Sequence, residues 1–162
     1  MLDSEQSIER LADFSSEIRK ITLKRLEELP EGFMNWRLNT TAMSFAHIVQ
    51  HLINVDELFF NLVTSEDKQF HWILGSEEPH FTVEPDSYEA MLRKLSTYQQ
   101  KRHTLIKAFD PIEINTKVSD ENQQKMTFWW FIMRKVLEHE IYHRGQIAAY
   151  LKILKGESQK AV

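Results

Sequence analysis

The chain has 162 residues, 42% of them hydrophobic and 27% charged, which fits one globular domain over 1–162 with a core that needs no staples. The sequence contains no Cys, so a disulfide framework and a cysteine nucleophile or metal ligand of its own are excluded. The net charge is −4, and the 20 Lys and Arg are scattered rather than massed, so there is no basic stripe for a nucleic acid. No apolar run approaches the roughly 20 residues that span a bilayer, and the first residues lack the pattern of a secretory signal. A cytoplasmic protein without a membrane or nucleic-acid partner is expected.

Four stretches carry helical periodicity. The first runs from about Asp3 to Leu29; Asp3 with Gln6 three residues on resembles a capping box, and Pro30 and Gly32 follow as stops. The second begins near Ser44 and reaches about Val63. The connection from Ser65 to Pro85 is rich in rings (Phe70, Trp72, Phe81, His71, His80), which suits either a cap on one end of the core or a lid over a site. The third helix starts at Asp86 or Ser87 and ends before Pro111. Between Asp110 and Met126 the alternation of Ile112, Ile114 and Val118 predicts a short hairpin. The fourth helix starts near Thr127 and runs to about Leu154, with Gly156 as its stop. Four long helices with apolar faces make an all-α, up-and-down four-helix bundle the expected architecture.

Of the seven histidines, spacing singles out His139 and His143. Four residues apart, they share one face of the fourth helix with Phe128, Ile132, Val136, Gln146, Ile147, Tyr150 and Leu154. Two imidazoles on an inward apolar stripe need partners for their nitrogens, and a metal ion supplies them. On the second helix, a wheel at about 100° per residue puts His51 inside the arc of Ile48, Leu52, Val55, Leu58, Phe59 and Leu62. His47 falls at the edge of a polar strip, at the third helical position after a Ser44 cap, and is expected to be a surface or capping residue. Three imidazoles (His51, His139, His143) and an open position suit Zn²⁺, with Ni, Mn or Fe also compatible. His71, His80 and His103 have no partner at ligand spacing.

Two segments resemble the DinB-like (YfiT-type) family. One is Asn35-Trp36-Arg37 followed by Ser44 to Glu57 with His51 within it; the other is His139-Glu140-Ile141-Tyr142-His143-Arg144-Gly145-Gln146. The resemblance covers essentially the whole chain. It implies a four-helix bundle, usually dimeric, with a metal on one histidine of the second helix and two of the fourth, positions that correspond to His51, His139 and His143. Relatives include S-transferases that use low-molecular-weight thiols and mycothiol-dependent isomerases, and the family name licenses no DNA-binding role. Tyr142 stands where many members have a further His, and His47 replaces an acidic residue often found at the cap.

Other residues have two readings each. Glu140 either orients a ligand or acts as a base, or it pairs with an Arg or Lys of a neighbouring helix. Gln146 and Tyr150 share the metal face and either line a substrate pocket or satisfy other core groups. Gly145 within a helix points to close approach by a neighbour. Trp130, Leu137, Ile141 and Ala148 on the fourth helix, with Val49, Ile53 and Phe60 on the second, widen the apolar faces and predict a homodimer, unless they are the buried faces of a thick bundle. The expected function is a divalent-metal-dependent enzyme acting on a small molecule, a thiol-dependent S-transferase or a hydrolase; the alternative is a non-enzymatic metal- or ligand-binding stress protein.

Overall fold

A computed structural model describes residues 3–72 and 81–160, with side chains up to residue 156. It contains three uniform helices, α1 (Ser4–Leu26), α2 (Phe45–Thr64) and α3 (Pro85–Lys107). A longer helix, α4, opens as one α turn (Phe128–Trp130), passes through π-helical turns (Phe131–Glu138) and returns to α geometry (His139–Lys160). α1 packs against α3 and α4, and α2 packs against the same two, so α1 and α2 lie diagonally across the bundle although consecutive in sequence. The three connections, each long enough to cross the end of the bundle, permit that order. No helix among the described residues is long and apolar enough to cross a membrane.

The helix ends follow local chemistry, with some departures from expectation. Ser44 caps α2, its hydroxyl accepting from the His47 backbone N–H at 3.0 Å, and Thr127 caps α4 by accepting from Trp130 N–H at 3.2 Å. Pro85 occupies the first turn of α3, where a missing N–H costs nothing. The Asp3–Gln6 capping box does not form, because the Asp3 side chain makes no cap bond and only its carbonyl accepts, from Ser7. α1 ends at Leu26, and residues to Leu29 close in tight turns before Gly32, whose φ of +84° suits a residue without a side chain. Gly156 does not stop α4, which continues to Lys160.

The predicted hairpin exists, but over different residues. β1 (Lys117–Ser119) and β2 (Lys125–Thr127) pair antiparallel with Val118 opposite Met126. Ile112 is exposed and Ile114 lies buried in a single 3₁₀ turn (Glu113–Asn115) ahead of the strands. The hairpin also holds the chain leaving α2: Phe70 N–H donates to Ser119 O, and Ser119 N–H to Lys68 O, both at 3.0 Å.

The apolar core has two halves. One gathers Ile8, Leu11, Phe59, Phe60, Phe70 and Phe131; the other gathers Phe45, Ile48, Leu52, Leu95, Ile147 and Leu154. Each fully buried Phe or Leu contributes about 1.5–3 kcal/mol. Along every helix, a charged residue sits between members of the two halves: Arg19 on α1, Asp56 on α2, Arg102 on α3 and Glu140 on α4, none more than 1% exposed. Arg19 forks onto Glu140, Nε to Oε1 at 2.8 Å and Nη2 to Oε2 at 3.0 Å, while Nη2 also reaches Asp56 Oδ2 at 2.8 Å. Arg102 Nη1 donates to Glu140 Oε2 at 2.7 Å and to Asp56 Oδ1 at 3.1 Å, and its Nε donates to Ser15 Oγ at 2.6 Å. Two guanidiniums and two carboxylates leave the cluster neutral. Such networks add little net stability over apolar packing, but removing one member costs about 3–5 kcal/mol.

Candidate metal centre

α2 and α4 bring three imidazoles to one point. His51 Nε2 lies 2.7 Å from His139 Nε2, which lies 3.0 Å from His143 Nε2. His51 and His143 are buried and His139 is half-buried, so the cluster sits at the edge of the core. His139 Nε2 offers either one hydrogen or one lone pair, so at most one of its two contacts is a good hydrogen bond. A cation at the centre satisfies all three. Zn–N bonds of about 2.0–2.1 Å in tetrahedral arrangement place nitrogens about 3.3 Å apart, beyond the observed 2.7 and 3.0 Å by about 0.3 to 0.6 Å. The donor set fits a divalent ion.

The site keeps its imidazoles in the neutral, ligating form. Burial first, then the neighbouring imidazoles, pushes His51 down to about 3, and burial followed by His143 pushes His139 down to about 4. Burial also lowers His143. The ring orientation of His143 is set by Gln146, whose Oε1 accepts from His143 Nδ1 at 2.7 Å, so that Nε2 presents its lone pair to the cluster. Gln146 thereby fixes the orientation of the His143 ring. Tyr150 is buried in an aromatic group with Trp36 and Phe45, ring centroids 5.6 and 6.0 Å away.

Glu140 is the neighbour of His139 in sequence but faces the other way. Burial alone would raise its carboxyl pKa, yet Arg19 and Arg102 outweigh burial and hold it well below the usual carboxylate range. Burial raises the Asp56 carboxyl as well, but each of its oxygens accepts from a different guanidinium, which leaves no acceptor for a carboxylic proton. With both oxygens of Glu140 engaged by arginines, the pairing reading is the one the geometry supports.

Two expectations are corrected here, for His47 and Gly145, and the wide apolar faces are covered in part within the chain. His47 is not a surface residue: it stands at the third helical position as predicted, its backbone N–H donating to the Ser44 cap, but its ring is 5% exposed and packs 5.3 Å from the Phe81 ring. Phe81, just ahead of α3, covers what the wheel of an isolated helix leaves open. Gly145 has no close neighbour, since a Cβ there would meet nothing within 4 Å. Val49, Ile53, Phe60 and Leu137 are buried within the chain itself, leaving Trp130 and Ile141 as the exposed members of the set that predicted a homodimer.

The ring-rich connection does reach the site. Trp72 stands between His139, centroid to centroid 5.2 Å, and the Lys135 ammonium, 4.7 Å from its ring. Its backbone N–H is held by Glu121 Oε2 at 3.1 Å, so the hairpin loop helps fix a wall of the centre. On the other side, the Asn35 amide pairs both ways with the Val83 backbone at 2.8 and 2.9 Å, and Arg37 donates to Phe81 O at 2.7 Å. The Asn35-Trp36-Arg37 segment thus anchors the residues that carry Phe81 to His47. His71 is exposed, His103 meets Asp13 at 3.0 Å, and His80 lies outside the described residues.

These features define a four-helix bundle with a three-histidine site able to hold a metal ion. The model of the DinB superfamily matches residues 16–147, and the chain belongs to that family. Its fold is similar to the crystal structure of a DinB-like protein, YjoA, from Bacillus subtilis, at 18% identity and TM-score 0.67, covering 90% of this chain and 92% of that one. It is similar also to YfiT from Bacillus subtilis, at 13% identity and TM-score 0.63, covering 98% and 91%. YfiT is described as a probable metal-dependent hydrolase with an unusual four-helix bundle topology. No curated protein matches the sequence.

Proposed function

We propose that this chain is a divalent-metal-dependent enzyme in which His51, His139 and His143 hold one ion, zinc foremost, with nickel, manganese and iron as the other ions suited to the donors. The observation that carries this reading is the convergence of three imidazoles while Glu140, next to His139 in sequence, is turned away and occupied by Arg19 and Arg102. Three protein ligands leave room for an outside molecule. The bound ion supplies a nucleophile at neutral pH, by acidifying a water or a thiol. Gln146 fixes the ring of His143, and Trp72 narrows access beside His139.

The reaction is hydrolysis of, or thiol transfer to, a small molecule. The description of YfiT supports hydrolysis. In the transfer case the thiol comes from a low-molecular-weight co-substrate, because the chain has no Cys. We place the protein in the cytoplasm as a homodimer, supported by the exposed apolar side chains of Trp130 and Ile141 on α4. The test uses cobalt-substituted protein with added small thiol, followed by visible absorption, alongside turnover of labile esters and electrophiles. New sulfur-to-metal absorption or ester turnover is expected. An unchanged spectrum at saturating thiol with no turnover would leave a non-enzymatic metal- or ligand-binding stress protein.

A further inference from the structure

Four buried charges on four helices surround the point where the ligand-bearing helices are fixed. Glu140 follows His139 directly on α4, and Asp56 comes five residues after His51 on α2. Arg19 from α1 and Arg102 from α3 each bond both carboxylates. The two arginines are anchored in turn on their far sides, Arg19 Nη1 to Leu95 O at 2.8 Å and Arg102 to Ser15 through Nε and Nη2 at 2.6 and 2.9 Å. Neither α2 nor α4 can therefore rotate about its axis without breaking charge-assisted bonds to both of the other helices.

Rotation is the motion to which the triad is most sensitive. An imidazole Nε2 lies about 6–7 Å from its helix axis, so a turn of about 20° displaces it by about 2 Å. Metal–ligand distances tolerate about 0.2 Å. Apolar packing alone is forgiving on this scale, since Leu and Phe side chains repack with little directional preference, whereas a bidentate guanidinium–carboxylate pair fixes both distance and plane. The cluster is also neutral as a whole, so its two guanidiniums present no net positive charge to a neighbouring dication.

We propose that Arg19, Asp56, Arg102 and Glu140 are positioning residues for the metal centre, setting the rotation of α2 and α4 so that His51, His139 and His143 converge. The proposal rests on the reading of these histidines as metal ligands. Its test compares Asp56→Asn and Glu140→Gln with wild type for cobalt affinity, measured by competition with a chromophoric chelator, for the visible spectrum of the cobalt form and for the melting temperature of the metal-free protein. Leu11→Ala, an uncharged cavity in the apolar core of α1, is the control for lost stability as such. The charge variants are expected to bind cobalt about 10–100-fold more weakly, with altered band positions, while Leu11→Ala stays within about 3-fold of wild type. Should a charge variant fail to fold, Ser15→Ala decides: it removes only the hydroxyl bonded to Arg102 Nε, and at least a 3-fold weaker affinity is expected. Variants with lowered melting temperature but wild-type affinity and spectrum would overturn the proposal and leave the cluster a structural element. Wild-type protein that binds no cobalt would overturn the metal reading itself, and the inference with it.

Discussion

Acidifying the metal-free protein from about pH 7 to about pH 4.5 separates the triad from the rest of the fold. In the unfolded chain each imidazole takes up a proton near the ordinary 6.5, whereas in the folded chain His51 waits until about 3 and His139 until about 4, because burial and the adjacent rings disfavour the charge. Between those values the unfolded state holds more protons. Stability is therefore complete above about pH 6.5 and falls as the pH drops towards the folded values. A group protonated only in the unfolded chain costs about 1.4 kcal/mol per pH unit, which puts the ceiling for two groups over two units near 5 kcal/mol. Solvent screening at both rings, stronger at the half-buried His139, reduces this to about 2–3 kcal/mol, or about 5–10 °C in Tm for a chain of this size. The assay is calorimetry with a chelator present at both pH values, on wild type and on His51→Ala/His139→Ala. The double variant should lose much less on acidification. Equal losses in the two proteins would refute the reasoning, because the acid sensitivity would then lie outside His51 and His139.

Gly145→Ala should raise stability by about 0.5–1 kcal/mol, since the position is helical and open, and should leave metal content unchanged; a fall in Tm would show that the site is closely packed after all. Gln146→Leu should weaken metal binding about 10–100-fold with little change in the melting of the metal-free protein, by freeing the ring of His143. Equal affinity by chelator competition would return Gln146 to the substrate pocket or to simple core satisfaction.

Much of this molecule is legible in its sequence because helix periodicity and histidine spacing obey the same geometry. Two residues four apart on one helix must share a face, and His51 lies well inside an apolar arc, so the convergence of the three rings follows from regular helices packing on those arcs. Boundaries at Ser44 and Thr127 are legible because each hydroxyl has an N–H three residues on to accept from. What periodicity misses has other causes. His47 is buried by a connection that reaches it from far along the chain, and no wheel contains that contact. The π turns before His139 leave no mark in the hydrophobic pattern, although such turns recur at functional sites. Arg19, Asp56 and Arg102 do leave a signal: each sits on the inward face of its helix, as Arg19 does on the face of Ile8, Leu11, Ile18 and Leu26. A charge in that position calls for an opposite charge on a facing helix. Glu140 stands out further, because it follows His139 directly in the sequence. Gly145 is the reverse case, where a glycine in a helix reads as a close approach that the structure does not make.

The most direct test of the account is the metal content of wild type and four single variants after loading with zinc and desalting, measured by mass spectrometry of the bound element. Wild type and His47→Ala should each carry about one ion per chain, and His51→Ala, His139→Ala and His143→Ala should each carry almost none. Wild type that retains no ion, or metal lost from His47→Ala but kept by His51→Ala, would contradict it.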